Sequence, residues 1–298
     1  MIDLSRERSG FSGVNHVLIA IMLSLLLLMV PVEPFSPFLS NIMSSPVFGI
    51  MGLLTICGGA LLPDMDNLKS DGGSAATWSL GALGSIISSL MVTISSIATS
   101  VFHGRRDVRP DTQHRFFWHT LLVPLVGLLL TELLVPDSQT RVVDRFSGVP
   151  STTVVIPLVL VAVCIYVGAI LLLKKICKVL PIGKPSIIAL LLMVGSVLVV
   201  VFTLNEHQLK MLTLCVSLGY LFHLIGDLFA DGGIPALFPA TGIFGKFFMR
   251  VRLSPVTVKT GSTLESLLKI VFLATDIVLA YLVFFVARGI GPDPSTLL

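Results

Sequence analysis

The sequence predicts an all-α protein, a polytopic membrane helix bundle of about seven transmembrane helices plus one re-entrant or interfacial segment. Two observations predict this fold class. Of the 298 residues, 54% are hydrophobic and only 12% are charged, which is unlike a soluble globular domain. The apolar residues are also grouped into runs of roughly 17 to 25, long enough to cross about 30 Å of hydrocarbon as helices.

Seven runs have the length of a membrane-spanning helix. The first is interpreted as a retained helix rather than a signal peptide, because charges of both signs precede it and no small-residue cleavage site follows it. The seven runs lie near residues 14–31, 46–62, 117–135, 150–173, 186–204, 209–230 and 267–287.

An eighth apolar stretch, residues 74–102, is rich in serine and too long for its length alone to decide its path. If it makes no net crossing, sixteen of the twenty Lys and Arg residues lie on one face, and the other face keeps Arg141, Arg145, Lys210 and Arg288. If it crosses once, the split falls to thirteen against seven. Because basic residues concentrate on the cytoplasmic side, we expect no net crossing, a cytoplasmic N-terminus and insertion in the cytoplasmic (inner) membrane of a prokaryote.

Residues 1–298 are predicted to form a single integral-membrane domain, since no repeat and no separate soluble unit is visible. The longest loop, residues 231–266, is rich in proline and glycine and is predicted to be a cytoplasmic lid. The four cysteines form no Cys-x-x-Cys pair, which argues against a disulfide framework or a thiolate zinc site. The basic residues form no tract with interleaved aromatics, so nucleic acid is not an expected partner. The expected partner is the lipid bilayer, because of the long apolar runs.

Side chains that bind metals recur in three short clusters, which the predicted topology places at one cytoplasmic mouth of the bundle. Ionisable groups beside hydrocarbon are costly unless they face a cavity or have a partner. His223 and Asp227 are four residues apart in an apolar run, so a helix brings them onto one face. The other clusters are Pro63-Asp64-Met65-Asp66 at the end of one span and His114-Arg115-Phe116-Phe117-Trp118-His119 at the start of another.

Each cluster alone is also compatible with a structural role. The His223 and Asp227 pair could be a hydrogen bond that packs two helices, the acidic pair after Pro63 a polar helix stop, and the aromatic cluster an interfacial belt. Their coincidence on one predicted face favours a shared metal site. A mixture of imidazole and carboxylate ligands favours a divalent metal, zinc first and manganese as the alternative.

The set resembles the YdjM-like family of inner-membrane metal-dependent hydrolases over residues 14 to about 285. Besides the three clusters, the resemblance rests on Gly219-Tyr220, Gly233-Ile-Pro235, Phe238-Pro239 and Gly261-x-x-x-Glu265. The resemblance implies that the metal ligands are His16, Asp64, Asp66, His114, His119, His223 and Asp227. More distantly, the order of ligands is similar to that in zinc-dependent phospholipase C and P1-type nucleases, which cleave phosphodiesters.

The chain departs from the family pattern at three places. Asn67 stands where the family usually has His, Trp118 where it has Thr, and Ala230-Asp231 where it has Thr-Pro. Departures of this kind are compatible with fewer metals, a different substrate or an inactive relative, and Asp231 is a candidate compensating ligand.

The resulting hypothesis is a membrane-embedded metal-dependent hydrolase acting on a phosphoester or lipid-like substrate. Asp66 or Asp227 would be the general base where it is not a ligand, and Arg115 would orient an anionic group. Groups expected to support the ligands are Glu265, Asp231 and Asp276, whereas Glu132, His103 and His207 are expected to be solvated or structural.

Two other functions remain open at this point. The same polar residues could serve an ion or proton transporter or channel, with the mid-span Asp276 as a relay. The chain could instead be a non-catalytic membrane scaffold stabilised by the metal. No inverted repeat typical of many transporters is visible, and the substrate, the metal count and the oligomeric state are not predicted.

Overall fold

The computed structural model is helical throughout its described part, which contains no strand. The structure describes residues 12–29, 45–66, 82–102, 117–135, 137–142, 152–179, 185–229, 234, 258 and 261–283. Within these ranges the helices are α1 (Gly13–Met29), α2 (Pro46–Gly59), a 3₁₀ helix (Pro63–Asp66), α3 (Ala82–Phe102), α4 (Leu122–Leu134), α5 (Thr152–Val179), α6 (Pro185–Thr203), α7 (Glu206–Leu228) and α8 (Thr263–Tyr281).

Local sequence signals mark the start of several helices. Pro46 opens α2, where the missing N–H of proline costs nothing. Asn205 and Gln208 form a capping box at the start of α7, each side chain accepting from the other residue's backbone N–H. Ser262 caps α8 by accepting from the backbone N–H of Glu265 at 3.1 Å.

The helices other than α3 alternate in direction between two ends of a bundle. One end, called here the histidine end, is where His223 near the end of α7 contacts the carbonyl of Ala60 just after α2. The start of α1 lies there too, because the ring of His16 stacks on that of His223. The opposite end is where α6 gives way to α7, and where the backbone N–H of Glu206 donates to Thr140.

Helix α7 is the centre of the bundle and contacts α1, α2, α4 and α5. The closest approaches are made at glycines. A Cβ added at Gly219 would lie 2.1 Å from the carbonyl oxygen of Ile56, and one added at Gly58 would lie 2.0 Å from that of Cys164. Backbones therefore touch where α2 meets α7 and α5, as small residues allow in tightly packed helix pairs.

An ion-pair cluster closes the opposite end. Lys210, buried on α7, lies 2.7 Å from Glu132 of α4 and 3.7 Å from Asp137. His207 lies 2.6 Å from Asp137, and this hydrogen bond holds the pKa of the Asp137 carboxyl below its ordinary value. Glu132 and His207, expected to be solvated or structural, thus take part in ion pairs at this end, and His103 lies outside the described residues.

Helix α3 lies against the histidine end. The hydroxyl of Ser88 donates to the carbonyl of Met65, and the indole N–H of Trp118 donates to the carbonyl of Met91 at 2.9 Å. For residues 74–102 the sequence was compatible with a re-entrant hairpin or a helix on the surface. The structure shows one helix from residue 82 to residue 102, and residues 74–81 lie outside the described part. The nearest described residues before and after α3 are Asp66 and Phe117. Both lie at the histidine end, because their neighbours Met65 and Trp118 contact α3 there.

Two helical stretches, Thr153–Leu173 and Glu206–Leu228, are long and apolar enough to cross a membrane, and both are mostly buried inside the protein. The structure therefore supports an all-helical fold with two candidate spans among the described residues, not the predicted seven. For two of the predicted spans the described helix is short: α2 and α4 have 14 and 13 residues, which at 1.5 Å per residue rise only about 20 Å. Of the predicted lid, residues 231–266, only Ile234, Val258 and the last six residues are described.

Candidate metal centre

Five of the seven predicted ligands come together at the histidine end. Each is carried by a different part of the chain except for the pair on α7. His16 lies in the first turn of α1, Asp64 in the 3₁₀ helix after α2, His119 just before α4, and His223 and Asp227 one turn apart on α7.

The orientation of the His223 ring is set by a backbone carbonyl. Its Nδ1 lies 2.7 Å from the oxygen of Ala60, and because a carbonyl oxygen can only accept, Nδ1 carries the proton of the neutral ring. The lone pair is then on Nε2, which faces the carboxylates of Asp64 and Asp227. A metal-binding histidine is commonly held in this way.

Three of the four distances between the imidazole nitrogens and the carboxylate oxygens match the spacing of ligands around an ion. Nε2 of His119 lies 3.6 Å from Oδ1 of Asp64 and 3.4 Å from Oδ2 of Asp227. Nε2 of His223 lies 3.9 Å and 3.3 Å from the same two oxygens. Two ligands about 2.0 to 2.2 Å from a tetrahedral zinc ion lie about 3.3 to 3.6 Å apart, whereas N–H···O hydrogen bonds are about 2.7 to 3.2 Å long.

Burial makes the cluster costly without a cation. His16, His119, His223 and Asp227 are 0% exposed and Asp64 is 5% exposed. Two carboxylates packed among imidazoles out of contact with water need positive charge nearby, and buried charges in proteins are paired or coordinate metals. Two overlapping groups, His16-His223-Asp227 and Asp64-His119-His223, could each hold a metal ion.

The position of His16 depends on a glycine and on a buried carboxylate. Its ring stacks on that of His223 with centroids 3.7 Å apart, and a Cβ added at Gly226 would lie 2.9 Å from its Nδ1. The neighbouring Asn15 donates to Glu265 at 3.0 Å, so the start of α1 is tied to the start of α8.

Glu265 and Asp276, both expected to support the ligands, lie on α8. Glu265 is 1% exposed and accepts hydrogen bonds from Asn15 and from the backbone N–H groups of Ser12 and Gly261. Two of these bonds hold the start of α1, which carries His16. Asp276 is also buried, and neither of its oxygens has a hydrogen-bond partner in the described part of the chain.

Several predicted site residues lie outside the described residues. These are His114, Arg115 and Asp231, together with Asn67, and for Asp66 the backbone is described but the side chain is not. Their proposed roles stay predictions. Trp118, one of the departures from the family pattern, is described: besides holding α3, it accepts a hydrogen bond from the hydroxyl of Tyr220 through its carbonyl.

Three contributors to the centre were missed from the sequence. The carbonyl of Ala60 orients His223, Gly226 makes room for His16, and Ser88 ties α3 to the backbone beside Asp64. A backbone carbonyl leaves no mark in a sequence. The glycine could have been noticed, because it directly precedes Asp227 and is one of two glycines on α7.

Comparison with known proteins adds no assignment, since no family model, no curated protein and no solved structure matches this chain. The fold and the site thus define the protein only as a helical bundle with a buried cluster of histidines and aspartates that could bind a metal.

Proposed function

We propose that this protein is a membrane-embedded, metal-dependent hydrolase whose metal centre lies at the histidine end of the bundle. The observation that carries the proposal is the convergence of His16, Asp64, His119, His223 and Asp227, from four separate parts of the chain, at ligand-to-ligand spacing. The resemblance to the YdjM-like family supports hydrolysis as the reaction class.

The outer surface of the bundle supports the membrane part of the proposal. Large apolar side chains are exposed on α3, α4, α6 and α8, among them Ile86 at 62%, Leu133 at 71%, Leu191 at 65% and Ile270 at 67%. Soluble monomers rarely expose contiguous apolar surface on this scale. The alternating directions of the other seven helices and the asymmetry of the basic residues favour seven crossings, with α3 making none and the histidine end facing the cytoplasm.

The residues of the centre have distinct proposed roles. Asp64, His119 and His223 are ligands of a divalent cation, zinc in preference to manganese, which when bound activates water and stabilises negative charge in the transition state. Asp227 is a ligand rather than the general base, because both of its oxygens face imidazole nitrogens. Asp66 is then the general base, and Arg115 orients an anionic phosphoester or lipid headgroup.

One observation favours a second function, transport of protons or cations. Asp276 is 7% exposed on a helix that the sequence predicts to cross the membrane, and buried carboxylates in such helices mark proton and ion pathways. If the chain is a transporter, Asp276→Asn abolishes uptake into proteoliposomes while the metal content is unchanged. If it is a hydrolase, Asp276→Asn leaves turnover within a few-fold of the unmodified chain.

The experiment that tests the leading proposal is metal analysis by plasma mass spectrometry of the full chain, purified in detergent without chelators. Zinc or manganese in stoichiometric amount is expected in the unmodified chain and is lost in His223→Ala and His119→Ala. His207→Ala is the matched control, because His207 lies at the opposite end and pairs with Asp137. A metal-free protein that keeps its fold would refute the proposal.

Hydrolysis is then assayed on chromogenic phosphomonoesters and phosphodiesters and on phospholipid vesicles. Activity that follows the metal content across the variants supports the hydrolase. A metal that is retained without any turnover on these substrates favours the scaffold.

A further inference from the structure

The two overlapping groups of ligands share His223, and this sharing limits how they can be filled. The Nδ1 of His223 donates to the carbonyl of Ala60, so Nε2 is the single nitrogen left to bind a metal, and one lone pair binds one ion. His223 therefore cannot serve both groups at once. Either one group stays without an ion, or another residue links two ions.

Asp227 has the geometry of such a link. Its Oδ2 lies 3.4 Å from Nε2 of His119 and 3.3 Å from Nε2 of His223. Its other oxygen, Oδ1, lies 3.6 Å from Nε2 of His16. The two oxygens of one carboxylate thus face different imidazoles, and the His16 distance matches ligand-to-ligand spacing as well as the other pairs do.

His16 is held where it is by packing that its own pairing with Asp227 does not explain. The ring is stacked on His223 at 3.7 Å with an interplanar angle of 19°, and it fills the space left by the missing side chain of Gly226. The buried bond from Asn15 to Glu265 anchors the turn that carries it. The ring is therefore presented to Oδ1 of Asp227 in a fixed orientation, as required of a ligand.

From this geometry we infer that the centre holds two divalent cations bridged by the carboxylate of Asp227. One ion is bound by Asp64, His119, His223 and Oδ2 of Asp227, and the other by His16 and Oδ1 of Asp227. Ions about 3.5 to 4 Å apart, as in two-metal hydrolases, suit a bridging carboxylate. The inference rests on the proposed metal centre and goes beyond it in the number of ions and in the role of His16.

The second ion has a consequence for the substrate class. Two divalent ions carry more positive charge than Asp64 and Asp227 neutralise, and the second ion has only two protein ligands among the described residues. Its open positions and the excess positive charge suit an anionic group with two or more oxygens. A phosphoester satisfies both requirements, whereas a neutral amide or carboxylic ester does not.

The test is the number of ions per chain, measured on the detergent-purified full chain after dialysis against Mn²⁺, with electron paramagnetic resonance spectra of the same samples. The unmodified chain is expected to bind about two ions per chain and to show the spectrum of magnetically coupled manganese. His16→Ala is expected to bind one ion and to show the hyperfine pattern of an isolated ion. Gly226→Ala, which displaces His16 without removing a ligand, is expected to weaken the second ion by about ten-fold or more.

The outcomes separate this inference from the proposed function. One ion per chain in both the unmodified protein and His16→Ala overturns the two-ion centre and leaves the metal-dependent hydrolase standing. No ion in the unmodified protein overturns both. Two uncoupled ions overturn the bridge by Asp227. The control is His207→Ala, which removes only the partly exposed pair with Asp137 at the opposite end. It must bind as many ions as the unmodified chain for any loss in His16→Ala to count.

Discussion

At the scale of single residues, the centre combines ordinary side chains with unusual burial. His119 and His223 are fully buried imidazoles, and the Nε2 of each faces carboxylate oxygens of both Asp64 and Asp227. The residue that organises this arrangement from outside is Glu265, which collects three hydrogen bonds from the start of α1 and from the turn before α8.

Glu265→Gln tests this role. The amide keeps the size of the side chain but loses its charge and one acceptor oxygen, and hydrogen bonds to a charged group contribute about 1.5 to 3 kcal/mol each. We expect a loss of about 1 to 3 kcal/mol in stability, read as a lower melting temperature in detergent, together with weaker metal retention. The control is Lys269→Ala, which removes only the half-exposed ion pair to Glu265 at 3.6 Å and should cost less than about 1 kcal/mol. Equal effects of the two substitutions would contradict the role of the backbone hydrogen bonds.

At the scale of helices, two features decide where the ligands lie. Glycines bring α2 and α7 into backbone contact, which places the carbonyl of Ala60 within reach of His223. Two side-chain hydrogen bonds then hold α3 against the segments that carry Asp64 and His119.

Gly58→Ala should disrupt a second glycine contact of α2, the one that α2 makes with α5. The new methyl group would lie 2.0 Å from the carbonyl oxygen of Cys164, so α2 and α5 must separate, and we expect a loss of about 1 to 3 kcal/mol. Gly195→Ala on α6 is the matched control, because nothing lies within 4 Å of its added Cβ. That substitution should be neutral or stabilise the protein by up to about 1 kcal/mol through helix propensity. The melting temperatures of the two variants in the same detergent are compared.

Trp118→Phe should release α3 from the bundle. An aromatic side chain is kept, but the indole N–H that donates to Met91 is lost. Amide hydrogen exchange over residues 82–102 should therefore become faster by about five-fold or more, corresponding to about 1 kcal/mol. Thr93→Val, which removes only an exposed hydrogen bond within α3, should leave the exchange unchanged. Unaltered protection in Trp118→Phe would mean that Ser88 alone holds the helix.

At the scale of the whole molecule, polar and apolar groups are distributed differently from a soluble protein. The charged and imidazole groups of the described part are gathered at the two ends or in the interior, and the sides of α4, α6 and α8 expose leucine, isoleucine and valine. Such a surface fits the proposed location in a bilayer, because lipid tails can surround apolar side chains between two polar zones.

The expected topology can be checked by labelling of introduced cysteines. Gln139→Cys lies in an exposed segment at the opposite end, and Ser266→Cys lies at the exposed start of α8 at the histidine end. In intact cells a membrane-impermeant maleimide should label Gln139→Cys, whereas Ser266→Cys should react only after permeabilisation. Of the four native cysteines, those at 57, 164 and 215 are buried, and Cys177 is replaced by serine in both variants. Labelling of both positions in intact cells, or of neither, would refute a bundle that crosses the bilayer with the histidine end inside.

The amino-acid sequence by itself determined that the protein is helical and that a small set of histidines and aspartates is its candidate site. Both conclusions follow from local features: long apolar runs must form helices, and metal-binding side chains next to such runs are costly. The sequence also indicated that His223 and Asp227 share a helix face, because that relation spans a single turn.

Only the tertiary structure decided which candidates meet. It brought His16, near the start of the chain, onto the ring of His223, more than two hundred residues away, and it turned Asp227 so that its two oxygens face different imidazoles. It also separated Glu265 from the ligands and assigned it to the junction of α1 and α8. These relations depend on which glycine faces which carbonyl across two helices, and no local pattern in the sequence encodes a contact between residues that are distant along the chain.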